Sequence, residues 1–135
     1  MKRFEICLLV VALFALFSVS SSQVLRRFEL GTEKNLTMKK GEAYYFDFTI
    51  NEVKPGYDIA IIAHGQTFFD HPELYVSKAF KYPNSTNTST YYSTSYEFSS
   101  IIIPSSDISK GQTYYLGVHC KSYECEFKLN IQYAK

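Results

Sequence analysis

The chain has 135 residues, with 14 Lys and Arg against 13 Asp and Glu and a formal net charge of +1. No basic patch or charge run stands out, which on electrostatic grounds makes nucleic acid and anionic membrane surfaces poor candidates as partners. Aromatic content is high and one-sided: 12 Tyr, 11 Phe and no Trp.

At the start, Lys2 and Arg3 precede a wholly apolar run, Ile6–Phe17, and small polar residues follow at Ser18–Ser22. This is the pattern of a secretory signal peptide over residues 1–22, with cleavage expected between Ser20 and Gln23. The apolar run falls short of the about 20 residues a membrane span needs. An uncleaved N-terminal anchor is the alternative. Cys7 leaves with the signal, so residues 23–135 keep two cysteines, an even count suited to an oxidising compartment. Losing Lys2, Arg3 and Glu5 takes the net charge from +1 to 0. Residues 23–135 are one domain by length, large enough to bury roughly 65% of the unfolded surface. The C-terminus, Ala134-Lys135, has no hydrophobic tail, so neither a GPI signal nor a membrane anchor after signal cleavage is expected. The chain is therefore expected to be secreted.

Short strands are expected over Val24–Leu30 and Asn35–Met38, with a turn at Lys40-Gly41. Tyr44, Phe46, Phe48 and Ile50 then alternate with Tyr45, Asp47, Thr49 and Asn51, a period-2 run. Lys54-Pro55-Gly56 signals a turn. Tyr57–His64 is apolar on both faces and reads as a central strand. Gly65–Pro72 reads as a loop and Glu73–Ser77 as a short strand. A polar loop, Pro83–Ser95, leads to Tyr96–Phe98 and Ile101–Ile103, which Pro104 ends. Three sequons, at Asn35, Asn84 and Asn87, are expected glycan sites on surface loops, Asn84 foremost. Chance occurrence in a Ser/Thr/Asn-rich segment is the alternative.

The last stretch, Gly111–Tyr133, holds two alternating runs. Tyr114, Leu116, Val118 and Cys120 share one parity; Cys125, Phe127, Leu129, Ile131 and Tyr133 share another. The intervening Lys121–Glu124 reads as a four-residue hairpin loop. A Cys120–Cys125 disulfide across it would lie on the apolar face and contribute about 2 kcal/mol in the loop-entropy model. A zinc site wants a second ligand pair that is absent, and His119 points to the other face. With seven to nine short strands and no amphipathic helix, the expected fold is all-β. It is an antiparallel two-sheet sandwich of jelly-roll type.

Glu73-Leu74-Tyr75-Val76-Ser77, the Ile-rich strand, Gly111-x-x-Tyr114-Tyr115-Leu116-Gly117-Val118 and the alternating terminal strand together resemble the pre-peptidase C-terminal (PPC) family, over about Glu42–Tyr133. The acidic pair that precedes Leu-Tyr in that family is here His71 and Glu73, with Asp70 just upstream. The resemblance implies a jelly-roll-like, non-catalytic module found beside secreted proteases. Some such modules bind collagen or polysaccharide, so an extracellular polysaccharide or protein is the implied partner.

No Gly-x-Ser-x-Gly, His-Glu-x-x-His, phosphate loop or dinucleotide fingerprint is present, so no enzyme is expected. The densest polar cluster is His64, Asp70, His71 and Glu73. It reads as a metal site or, through Asp70 and Glu73, a calcium site, against the alternative of a solvated loop. No other cofactor is implied. Tyr45, Tyr75 and Tyr115 take the parity opposite to the core. With Tyr91, Tyr92 and Tyr123 in loops they would form an exposed platform for sugars or extended peptides. Cross-strand packing on a covered outer face is the alternative. The leading reading is a secreted binding module. A structural component of a secreted or surface assembly comes second, and a metal-dependent enzyme third.

Overall fold

Among the described residues the alternating runs become nine strands in two layers. The structure is a computed structural model, and it describes residues 23–65, 72–86, 90–93, 99–121 and 123–135. In chain order the strands are β1 (Leu25–Arg27), β2 (Glu33–Lys39), β3 (Ala43–Thr49), β4 (Asp58–Gly65), β5 (Glu73–Ser77), β6 (Tyr91–Ser93), β7 (Ser99–Ile103), β8 (Thr113–His119) and β9 (Glu124–Ala134). One 3-10 turn, Ser105–Asp107, lies between β7 and β8. A five-stranded sheet has the order β1-β3-β8-β5-β6, and a four-stranded sheet the order β2-β9-β4-β7. Pairing is antiparallel except for β1 on β3, which is parallel. This is the expected all-β sandwich.

Burial follows parity strand by strand. Phe46 and Phe48 of β3, Leu74 and Val76 of β5, and Tyr114, Leu116 and Val118 of β8 turn inward from one sheet. Met38, Ile59, Ile61, Phe127, Leu129 and Ile131 face them from the other. The aromatic members pack with defined geometry: Phe28 stands edge-on to Phe46 at 5.7 Å, and Phe48 stacks on Tyr114 at 5.3 Å. Tyr57–His64 proves central as expected, because β4 lies between β9 and β7.

The expected terminal hairpin does not form. β8 pairs with β3 and β5, whereas β9 pairs with β2 and β4. The Lys121–Glu124 loop therefore crosses from one sheet to the other. The same is true of every connection between consecutive strands except β5 to β6. An arch between sheets and a hairpin within one both require one apolar face per strand, so parity is the same for either. The loop also lacks the Gly, Asn or Asp of a tight hairpin turn. Two further differences concern the middle of the chain. β6 lies inside the expected Pro83–Ser95 loop, paired to β5 through Tyr75–Tyr92. The expected strand Tyr96–Phe98 falls outside the described residues.

Candidate binding surface

Two crossovers run side by side at one end of the sandwich. Lys39–Glu42 links β2 to β3, and Cys120–Glu124 links β8 to β9. Gly41, at φ 87°, turns the first crossover, a conformation that favours glycine. Gly41 N–H donates to the Cys120 carbonyl at 2.8 Å, and Cys120 N–H to the Glu42 carbonyl at 3.0 Å. Lys40 N–H donates to the Tyr123 carbonyl at 3.1 Å. Cys120 and Cys125 form the disulfide, with a Cα separation of 5.8 Å, and both are buried in the core. The bridge thus joins the two layers rather than two neighbouring strands. Beyond it the Tyr123 side chain is 89% exposed. Lys39, Lys40 and Lys121 are exposed on the same pair of crossovers.

The outer face of the five-stranded sheet carries a row of residues in register. Tyr45 of β3 pairs with Gly117 of β8, Gly117 with Tyr75 of β5, and Tyr75 with Tyr92 of β6. His119 lies one pleat along from Gly117, edge-on to both Tyr45 (5.7 Å) and Tyr75 (5.2 Å). The expected open platform is not what this row presents. Tyr45 and Tyr75 are only 5% and 4% exposed. The segment 78–86 covers them. Its Tyr82 ring stands edge-on to Tyr45 at 5.2 Å, and its Pro83 carbonyl approaches His119 Nε2 at 3.2 Å. Tyr115, between Asp47 and Ser77 in register, is half-buried. Of the expected binding tyrosines Tyr123 is open, as is Tyr92.

The chemistry under this strap is consistent with burial. A carbonyl oxygen only accepts, so His119 carries its proton on Nε2. Burial pulls the His119 pKa below its ordinary value, aided by Lys121 and opposed by the Pro83 contact and Glu73. Tyr75 donates to Glu73 Oε2 at 2.6 Å, and its own pKa is raised, first by burial and then by that carboxylate.

A second polar group ties the far end of β5 to the 3-10 turn. Asp107 accepts from Lys78 Nζ and from the Tyr91 hydroxyl, and its backbone carbonyl accepts from the Tyr114 hydroxyl at 2.6 Å. The Lys78 and Tyr91 hydrogen bonds hold the Asp107 pKa below its ordinary value. Burial pushes Tyr114 up to about 12. Every member has a partner within the group, so it reads as a structural clasp.

Of the expected metal cluster, Asp70 and His71 lie outside the described residues. His64 is exposed at the end of β4 in the four-stranded sheet, and Glu73 begins β5 in the other. Among the described residues no group of three or more His, Cys, Asp or Glu side chains converges. Asn35 is exposed on β2. Asn84 is half-buried, its Oδ1 accepting from Thr86 N–H at 2.9 Å and Thr86 Oγ1 at 2.8 Å. Asn87 falls outside the described residues. Sequence reasoning missed the Tyr82-Pro83 strap and the part Gly117 plays beneath it. A glycine inside an otherwise alternating strand was the available signal, since it often marks close backbone approach.

No protein-family model matches the sequence, and a search of curated proteins found no match. Among solved structures the chain is similar to the pre-peptidase C-terminal domain of a collagenase from Bacillus anthracis. That likeness has a TM-score of 0.59 at 14% identity, covering 82% of this chain and 96% of that one. It is also similar to PliG of Aeromonas hydrophila, a periplasmic lysozyme inhibitor of g-type lysozyme. There the TM-score is 0.53 at 6% identity, covering 84% of this chain and all (100%) of that one. At these identities the likeness is one of fold, and the fold is PPC-like.

Proposed function

We propose that the chain is an exported, non-catalytic binding module. Its partner in this reading is an extracellular macromolecule, a protein before a polysaccharide, engaged by the paired crossovers at Tyr123. Residues 1–22 act as the signal peptide and 23–135 as the mature module. The observation that carries the reading is the exposure of Tyr123 on a crossover braced at its base. An aromatic ring costs little conformational entropy to order and brings a large contact area, which suits a contact anchor. The disulfide and three backbone hydrogen bonds hold the crossovers before any partner arrives, which lowers the ordering cost of binding. Lys39, Lys40 and Lys121 around the ring favour an acidic surface on the partner. A protein partner draws support from PliG, a protein of similar fold that inhibits another protein, g-type lysozyme. The absence of Trp argues against a sugar platform.

The test is affinity capture from extracellular fractions, and from insoluble polysaccharide and collagen, with the mature chain and its Tyr123→Ala variant. A protein retained by the wild type should be lost at least about tenfold with Tyr123→Ala, the range of an aromatic anchor. Capture of the same protein by both forms would sink the reading. A secreted assembly that incorporates the chain independently of Tyr123 would instead favour the structural role.

A further inference from the structure

The strap over the tyrosine row seats its Pro83 carbonyl in a notch above Gly117, beside the Tyr45 and Tyr75 rings. We propose that the notch between Tyr45 and Tyr75, floored by Gly117 and closed by His119, is a binding groove for a proline-containing peptide. In this proposal residues 78–86 fill the groove in cis as its resident competitor. The site is distinct from the Tyr123 crossover and does not depend on it.

Three observations carry it. The first is the fit at Gly117. A Cβ built there would lie 2.2 Å from the Pro83 carbonyl oxygen, so only glycine lets that carbonyl enter. The oxygen that enters is met by the His119 Nε2 proton. The notch therefore reads a main-chain carbonyl between two aromatic walls. The second is the residue at its centre. Pro83 is buried there, and proline has no N–H to leave unsatisfied against aromatic rings. Aromatic-lined grooves take proline-bearing extended segments for the same reason, and because such segments are already ordered.

The third is how the strap is held. Residues 78–86 form no strand and, among the described residues, no β-ladder joins them to the sheet. Lys78 anchors the start of the strap to Asp107, and the attachments beyond it are side-chain contacts and single hydrogen bonds. Ser77 Oγ accepts from Ala79 and Phe80 N–H at 3.1 and 3.0 Å, and the Tyr82 hydroxyl reaches the Gln23 carbonyl at 3.4 Å. Tyr82 adds its ring contact with Tyr45. Contacts of this kind can be made equally by a peptide in trans. The row also continues past the strap: Tyr92, in register with Tyr75, is 69% exposed. An incoming peptide can cover this ring, which the strap leaves bare. The strap's advantage is its tether, which acts as a high effective concentration.

The test uses a labelled peptide with the sequence of residues 79–86, titrated against the mature full-length chain. Tyr82→Ala weakens the resident strap and leaves the groove intact. It should bind the peptide saturably and at least about tenfold more tightly than the wild type, as expected when a tethered competitor is loosened. Adding Gly117→Ala to Tyr82→Ala fills the notch and should abolish binding, with a cooperative thermal transition confirming the fold of each variant. Hydrogen exchange in the wild-type chain is an independent measurement. Amides of residues 80–82 and 84–86 should exchange far faster than those of β3 and β8. Absence of peptide binding to Tyr82→Ala would overturn the proposal, as would binding that survives Gly117→Ala or protection of the strap equal to that of the ladder. A concentration-dependent dimer of Tyr82→Ala in place of peptide binding would assign the groove to a second copy's strap and also overturn it. Tyr123 is untouched in every arm, so loss of the crossover reading would leave these results unaffected.

Discussion

His119 shows how one side chain can be read correctly and its setting missed. Parity places it opposite Cys120, on the outer face, and that is where it lies. Parity does not say that the outer face is covered. Under the strap its ring meets Tyr45, Tyr75 and the Pro83 carbonyl, with Glu73 of β5 and Lys121 of the crossover as the charges that act on it. Burial lowers its pKa, so the folded chain takes up the proton at lower pH than the unfolded chain. Between those two values the unfolded state binds more protons, and stability therefore rises with pH. The contribution is complete above about pH 6.5, the ordinary histidine value, and is lost as pH falls toward the depressed folded value. Urea midpoints should fall on acidification through this window for the wild type and stay flatter for His119→Gln. Equal slopes for the two proteins would remove His119 from the account.

At the scale of the element, the consequential difference is the crossover between β8 and β9. Both strands present one apolar face, Leu116 and Val118 on the first and Phe127 and Leu129 on the second. Those faces oppose each other across the core instead of lying side by side. The disulfide accordingly spans the layers at the end where the β2–β3 crossover also passes. Its loop-entropy contribution remains small because the closed loop is short. The double variant Cys120→Ser, Cys125→Ser should lose about 2 kcal/mol in urea unfolding. Its larger effect should be local, with faster hydrogen exchange at Lys40, Gly41 and Cys120→Ser, whose amide hydrogen bonds brace Tyr123. A loss confined to global stability, with those amides unchanged, would show that the backbone hydrogen bonds hold the crossovers unaided.

At the scale of the whole molecule, among the nine described strands seven connections cross between the sheets and only β5 to β6 returns within one. That exception is the connection long enough to lay a strap across the outer face. The binding reading and the strap both follow from this topology: crossovers gather at the ends of the sandwich, and the one long return covers a face. Export is the remaining premise. The mature protein recovered from a culture medium should have an N-terminus between Ser20 and Gln23 by intact mass, with Cys120 and Cys125 oxidised. A cell-retained chain beginning at Met1 would overturn it.

Much of the fold was legible along the chain. The alternation of Phe46 and Phe48, of Leu116 and Val118, and of Phe127 and Leu129 identifies strands and their dry faces, because side-chain direction in a strand is a local property of the backbone. Cysteine spacing on those faces identifies the disulfide. The site was legible in part: outer-face parity for Tyr45, Tyr75 and His119 follows from the same local rule. Which sheet each strand joins does not, since an arch and a hairpin bury the same pattern. Nor does the covering of Tyr45 and Tyr75, which depends on a segment more than thirty residues from Tyr45 that has no periodicity of its own. Local alternation determined what faces in and what faces out. Only the tertiary structure decided that the outward tyrosines lie beneath Tyr82 and Pro83 while Tyr123 stands clear, because solvent exposure is set by whatever chain packs on top.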